Sequence, residues 1–337
     1  MIGFLTGTLT KKGGRGVALC ALDGNRIVTR WESAALKEPN WILLNRARTR
    51  FFATCEKESG GCDFRGQVCE FSFDKDGMTV LAGSETCGDA PCHLSLSPDE
   101  RFLYAANYLT GSVAVFPVEN GLGSCVQLFN DAPAGCPFRA HAHQTAFMPD
   151  GRLLIADLGL DEVIVCAQDA ATGLLKEAGR IQIKKATGPR HIALRDADSF
   201  YLVHELGGLV SFYRRINGAW SCASMLPSVP DGKPEHAAAA ISFCADSARL
   251  YVSNRENNCL TEFRTDEGGT PRFSRVIPCA PFPRDFIILP DGRFLVLAQG
   301  SNDPAKAVLL GGIELLSAQG ERLDFLPFPA AVCAALL

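Results

Sequence analysis

No run in this 337-residue chain approaches the ~18–20 apolar residues that a membrane-crossing helix requires, so no membrane partner is expected. The opening MIGFLTGTLTKKGG has no basic stretch ahead of its short apolar run, and a secretory leader is not expected either. Basic runs are no longer than pairs such as Lys11-Lys12 and Lys184-Lys185, and the net charge is −4, which argues against nucleic acid as a partner. Cysteine is plentiful, at fourteen residues, but no C-x-x-C occurs. The thiols sit scattered in strand-like runs (Cys20, Cys166, Cys244, Cys333), and the expectation is reduced, buried cysteines in a cytoplasmic protein. Cys55, Cys62 and Cys69 recur every seven residues with Cys87 and Cys92 beyond, but that is not a zinc spacing, and no metal or other cofactor is expected. A G-x-S-x-G elbow is absent, which disfavours acyl transfer through a serine nucleophile. Long amphipathic helical patterns are absent too, and the chain reads as all-β.

What is present is a hairpin. Pro189 to Leu206 reads PRHIALRDADSFYLVHEL, with Ile192, Leu194, Phe200 and Leu202 alternating on either side of a polar turn. A hairpin brings its ends together, so Arg190 and His191 are expected to share one sheet edge with His204 and Glu205. The same pattern opens at Pro91-Cys92-His93, at His143 and at Pro283-Arg284-Asp285, and more weakly at Asn40-Trp41 and Ala239-Ala240. The His143 copy matches loosely: its turn comes one residue late and its second strand is one residue short. The copies end at Cys55, Asn107, Asp157, Glu205, Asn254 and Gln299, recurring every 45 to 52 residues. That period, with several short strands per unit, predicts a β-propeller.

Six hairpins are visible and the length leaves room for a seventh. Pro327 to Leu336 reads as a first strand lacking a partner, and Ile2 to Thr8 as a second strand lacking one. The prediction is a single seven-bladed β-propeller domain spanning 1–337, closed by pairing N- and C-terminal strands in one blade, which removes an exposed sheet edge. Hairpin starts and second-strand ends then gather on one rim of the central channel. That rim collects His93, Asn107, His141, His143, Asp157, Arg190, His191, His204, Glu205, Asn254, Arg255, Arg284, Asp285 and Gln299, with His236 just ahead of one copy. A ring of titratable groups at a concave mouth is a ligand-site hypothesis. The competing reading is structural. Asn107, Asp157, Asn254 and Gln299 sit where strand ends use such side chains to cap loops. Three arginines at one mouth repel each other unless carboxylates or an anionic ligand offset them, and Glu205 and Asp285 offset part of that.

At these residues the chain resembles a known family. PCHLSLSPDERFLYAANYLTGSVAVFPV, HAHQTAF, GPRHIAL, the Glu205-Leu206 strand end, LYVSNR and FPRDFIILPDGRFLVLA occur in the order found in the seven-bladed β-propeller lactonases. That family includes the propeller-type 6-phosphogluconolactonases and the 3-carboxymuconate lactonizing enzyme. The resemblance runs from about Trp41 to Ala298. It implies a lactonase of carbohydrate metabolism, most simply acting on 6-phosphogluconolactone in the pentose phosphate pathway. It also implies a catalytic set at His143, Arg190, Glu205 and Arg255, and the rim reading adds substrate-binding groups at His93, His141, His191, Arg284, Asp285, Asn107 and Asn254. Departures exist. Glu205 follows His204 where the family has asparagine, Cys55 stands in another asparagine position, and Gly300 to Leu316 leaves the family's strand pattern.

Lactone hydrolysis needs an activated water, a held oxyanion and a proton for the leaving alkoxide. Glu205 or His143 would supply proton transfer and Arg190 with Arg255 the oxyanion contacts. The implied substrate is a small anionic lactone. Three alternatives carry the same residues: lactonization in the reverse sense, a non-catalytic propeller that docks proteins, and a metal-dependent lactonase using Asp157, Asn254 and Glu205 as oxygen ligands. The rim position of Glu205 and His143 also predicts that substituting either leaves stability almost unchanged.

Overall fold

The computed structural model describes residues 2–56, 66–132, 140–230, 238–300 and 311–337. The described residues form seven four-stranded sheets, the seven blades of an all-β propeller. Six blades take their strands in sequence order, and the seventh combines the ends of the chain, with Ala331–Leu336 beside Ile2–Thr8. That seam is held by backbone pairing from Leu337 to Gly3 (2.9 Å) and by the Thr6 hydroxyl donating to the Cys333 carbonyl (2.9 Å). The closing strand starts at Ala331 rather than at Pro327, because Pro327 ends the preceding strand, Arg322–Pro327. Chain contacts divide the fold into two compact units: residues 1–23, 28–182 and 333–337, and residues 24–27 and 183–332.

Burial falls across each blade. Second strands are buried on both faces, as in Phe102–Asn107, Leu153–Asp157 and Ser199–His204, which explains their nearly continuous apolar runs. Fourth strands such as Met78–Glu85 alternate and are mostly exposed. In the first unit, Phe102, Tyr104 and Ala106 of one blade pack with Leu153, Ile155 and Ile164 of the next. In the second unit, Tyr201 and Val203 pack with Leu250 and Val252 in the same way. The tyrosines in these layers are buried but not orphaned. Tyr104 donates its hydroxyl to the Gly173 carbonyl (2.8 Å) and Tyr201 to the Gly269 carbonyl (2.7 Å).

The first and second strands of five blades pair with a slip near their start. Pro91 faces Asn107 and His93 faces Ala106, which leaves Cys92 as the extra residue of a β-bulge. By the same register His143, Arg190 and Arg284 are the extra residues of their blades. A bulge adds local twist and re-aims the inserted side chain. In three blades it follows a fixed device: a residue in the left-handed region (Ala90, φ 53; Gly188, φ 62; Phe282, φ 59), then proline, then the bulge. Each left-handed residue accepts, through its carbonyl, the N–H of the residue just past the second strand: Tyr108, Glu205 or Gln299 (3.0, 2.7 and 3.0 Å).

Candidate active site

The second unit brings two arginines onto one carboxylate. Arg190 comes from the bulge of Pro189–Asp196, and Glu205 from the turn just past Ser199–His204. Arg255 occupies the matching turn position past Arg249–Asn254. The Nε–H of Arg190 donates to Glu205 Oε2 at 2.8 Å, and Arg255 Nη2 lies 3.0 Å from Glu205 Oε1. Arg190 and Arg255 are 2 % and 6 % exposed. Both also donate to main-chain carbonyls, Arg190 to Ala239 (2.6 Å) and Arg255 to Ala238 (3.3 Å). Ala239 and Ala240 form the bulge of their own blade, and their small side chains leave that carbonyl edge open to a guanidinium. The Arg255 guanidinium lies over the Phe282 ring at 5.5 Å, and its Nε–H finds no protein acceptor. Arg190 Nη1 lies 3.2 Å from His191 Nε2; the guanidinium can only donate, so Nε2 is the acceptor and the proton of a neutral His191 ring sits on Nδ1.

Burial pushes the Glu205 carboxyl up, but the charges of Arg255 and Arg190, and then Arg284, outweigh it and hold the group below its ordinary value of 4.5. Glu205 is therefore a fixed anion at neutral pH. Asp285 accepts from the next backbone N–H, that of Phe286 (2.9 Å).

In the first unit the histidines are arranged around two aromatic rings. His93 lies against Trp41, the ring centroids 4.2 Å apart and the planes tilted by 39°. His141 stacks on Tyr108 at 4.8 Å, its Nδ1 lies 2.9 Å from the Tyr108 carbonyl, and that carbonyl fixes Nδ1 as the donor. His143 meets the edge of the same Tyr108 ring at 5.6 Å, and its own carbonyl accepts from Cys92 Sγ at 3.4 Å. Trp41, Tyr108 and Phe282 were not among the expected site residues. Tyr108 does carry a sequence signal, since it stands at the repeat position of Glu205 and Arg255, one residue past the second strand.

Several expected rim residues turn out to be structural. His204, not Glu205, pairs with Pro189 and is the true strand-end residue. Its ring is fully buried, with Nδ1 2.9 Å from Thr187 Oγ1 and Nε2 2.7 Å from Ser211 Oγ, so it does not share the edge occupied by Glu205. Asn107 and Asn254 occupy the same position in their blades and are also fully buried. Asn107 Nδ2 donates to Ser112 Oγ (3.2 Å) and Asn254 Nδ2 to Thr261 Oγ1 (3.0 Å), bonds that tie each side chain to the third strand of its own blade. Asp157, the fourth of this set, is buried as well. It caps the loop by accepting from the backbone N–H groups of His141 (2.9 Å) and Leu160 (2.8 Å). No group of three or more His, Cys, Asp or Glu side chains that could hold a metal ion exists among the described residues. His236 and Cys62 lie outside the described residues, as do 301–310, while Gly312–Leu316 is a regular third strand where a departure from the pattern was expected.

Residues 3–310 match the model of the lactonases with a seven-bladed β-propeller. A 6-phosphogluconolactonase of Bacillus subtilis (strain 168) is 28 % identical over 359 aligned positions, covering 100 % of this chain and 98 % of that protein. The solved structure of a Pseudomonas aeruginosa periplasmic gluconolactonase superimposes with a TM-score of 0.85 at 26 % identity, covering 100 % of this chain and 99 % of the other. A Bacteroides fragilis structure at 22 % identity and a TM-score of 0.84 shares the fold over 100 % of this chain and 98 % of its own.

Proposed function

From the membership of this chain in the seven-bladed β-propeller lactonase family, we propose that it hydrolyses a sugar lactone, with 6-phosphogluconolactone as substrate and 6-phosphogluconate as product. The observation that carries this reading is the Arg190–Glu205–Arg255 cluster with Arg284 acting on the same carboxylate. Arg284, whose charge also reaches Glu205, is assigned to a permanent anion on the substrate. A phosphate matches guanidinium donors well.

Water attacks the lactone carbonyl carbon. Its proton passes to a carboxylate or imidazole, and the carbonyl π pair becomes an oxyanion facing Arg190 and Arg255. Collapse re-forms the carbonyl, breaks the bond from that carbon to the ring oxygen and requires a proton at the departing oxygen. Glu205 fixes both arginines and, because it holds a proton weakly, returns one readily. His143 is assigned to the complementary proton transfer on its repeat position. It is the bulge residue of its blade, as Arg190 and Arg284 are of theirs. Run with an alkene and a carboxylate, the same groups serve lactonization; the relatives named 6-phosphogluconolactonase and gluconolactonase favour hydrolysis.

The test is kcat/KM for glucono-δ-lactone with and without the 6-phosphate. Preference for the phosphorylated lactone supports the reading, and equal values overturn the phosphate assignment. A second reading, an unphosphorylated gluconolactone, draws support from the Pseudomonas relative named for that substrate. The free buried thiols Cys20, Cys166 and Cys333 support a cytoplasmic location, which cell fractionation tests.

A further inference from the structure

One blade of the first unit carries two thiols in contact. Cys55 lies near the end of Arg50–Glu56 and Cys69 in the middle of Gly66–Phe73. These strands are antiparallel neighbours, with Ala53 opposite Cys69 and Cys55 opposite Gln67. The two cysteines are therefore diagonal neighbours on one face of the sheet. Their sulfurs lie 3.0 Å apart, and both side chains are buried. On its other side Cys69 pairs with Gly83 of the outer strand Met78–Glu85. Gly83 is exposed, and a Cβ built there would stand 3.5 Å from Cys69 Sγ. The missing side chain leaves a short way from solvent to the Cys69 sulfur.

We propose that Cys55 and Cys69 form a dithiol site for two-electron oxidants of the hydroperoxide class, closing reversibly to a cross-strand disulfide. Cys69 is the attacking sulfur. The Cys55 S–H donates to it, which holds Cys69 below the usual thiol range and Cys55 well above it. The Cys69 thiolate attacks the outer peroxide oxygen, the O–O bond breaks, and hydroxide leaves, taking up one proton to become water. The resulting Cys69 sulfenic acid is then attacked by the Cys55 sulfur. The S–S bond forms, the S–O bond breaks, and the Cys55 proton leaves with the hydroxyl as a second water. Two thiols and one hydrogen peroxide thus give one disulfide and two waters. A dithiol reductant reverses the change. The site does not involve the arginine cluster, so its test is independent of the lactonase reading.

The experiment treats the full-length protein with stoichiometric hydrogen peroxide, blocks remaining thiols with iodoacetamide and maps cysteine-containing peptides by mass spectrometry. A Cys55–Cys69 cross-linked peptide is expected, lighter than the two reduced peptides together by about 2 Da for the two hydrogens lost, and it disappears on dithiothreitol treatment. Gly83→Val places bulk over Cys69 at an exposed strand position that tolerates a β-branched residue. It is expected to slow cross-link formation at least several-fold while the exposed Cys87 and Cys222 react as before. Either of two outcomes overturns the proposal: Cys87 and Cys222 oxidise with no Cys55–Cys69 peptide, or the cross-link forms in Gly83→Val at the wild-type rate.

Discussion

Glu205→Gln tests the central cluster most directly. The substitution removes the charge and keeps the shape, so the pairs at 2.8 and 3.0 Å become neutral hydrogen bonds at best. At an effective dielectric of about 20 each pair is worth roughly 6 kcal/mol of gross Coulomb energy. Desolvating one carboxylate and two guanidinium groups costs several kcal/mol per ion, so the intact cluster contributes little net stability. Removing one partner is different, because two buried guanidinium groups are left facing each other. The expected loss is about 3–5 kcal/mol, the scale for breaking a buried pair. With an unfolding entropy near 2.1 cal/mol/K per residue, that lowers Tm by about 4–7 °C in a two-state unfolding of a chain this long. This revises the expectation that a rim carboxylate is dispensable for stability. kcat is expected to fall by about 10²-fold or more, the scale of a positioned proton-transfer group. Calorimetry and a lactone hydrolysis assay read the two effects. A companion variant separates them: Arg190→Met, Glu205→Leu and Arg255→Leu together remove all three charges, and are expected to recover most of the stability with no activity. A Glu205→Gln protein with wild-type Tm and wild-type kcat on every lactone the native enzyme hydrolyses refutes both the pairing energetics and the catalytic assignment.

Arg284→Ala is expected to raise KM for the phosphorylated lactone about tenfold or more while kcat changes less, the pattern of lost ground-state binding; a kcat-only effect argues against an anion-anchoring role. The Glu205 carboxyl is held below 4.5, so the acid limb of kcat/KM is expected below pH 4.5. The stability that Glu205 confers is present above 4.5 and lost as pH falls through the lowered folded value, and a limb well above pH 4.5 contradicts the assignment. The fully buried Asp131 is pushed well above 3.8, first by burial and then by the Asp157 charge, so the folded state binds a proton there that the unfolded chain releases. Stability is then lost as pH rises from 3.8 through the folded value, and Asp131→Asn should gain Tm relative to wild type as pH rises; a constant difference between pH 4 and 8 rejects this. Deleting the chain from Phe328 onward removes the strand beside Ile2–Thr8 and exposes a sheet edge, so a large loss of Tm or solubility is expected; an unchanged Tm rules out a stabilising role for this closure.

The architecture was readable because a propeller repeats its own grammar. The Pro-Asp turn at Pro98 and the Pro-Asp-Gly turns at Pro149 and Pro290 mark three of the hairpins, and the doubly buried second strands leave apolar runs too short for helices. The N- and C-terminal half-blades followed from counting. Within the site, the pairing of Glu205 with two arginines was foreseeable from charge alone, since buried arginines need an anion. What failed was position at single-residue resolution. A one-residue shift decides whether a side chain points inward or toward ligand, and the shift between His204 and Glu205 exchanged a histidine buried between Thr187 and Ser211 for the carboxylate that faces the arginines.

That shift has a local cause, and its traces are in the sequence. Proline has no N–H for the ladder and is tolerated at a strand's first residue or at a bulge. In Ala90-Pro91-Cys92, Gly188-Pro189-Arg190 and Phe282-Pro283-Arg284 the residue before proline is left-handed, and the residue after it is the bulge. Glycine adopts that conformation freely, whereas Ala90 and Phe282 adopt it at a cost of about 1–2 kcal/mol each. Strain of that kind persists only where surrounding bonds over-determine it, here the carbonyl contacts to Tyr108 and Gln299. The repeated X-Pro-X unit therefore does one mechanical job, which is to add one residue to the first strand and turn its side chain out of the blade's own packing. Two of the three are arginines, and of the two bulged blades without the proline one presents His143 and the other Ala239 and Ala240. A propeller that retains this entry in alternate blades while varying the inserted residue is keeping a mounting point for functional groups, which is why the bulge residues rather than the strand ends are where substrate selectivity should be altered first.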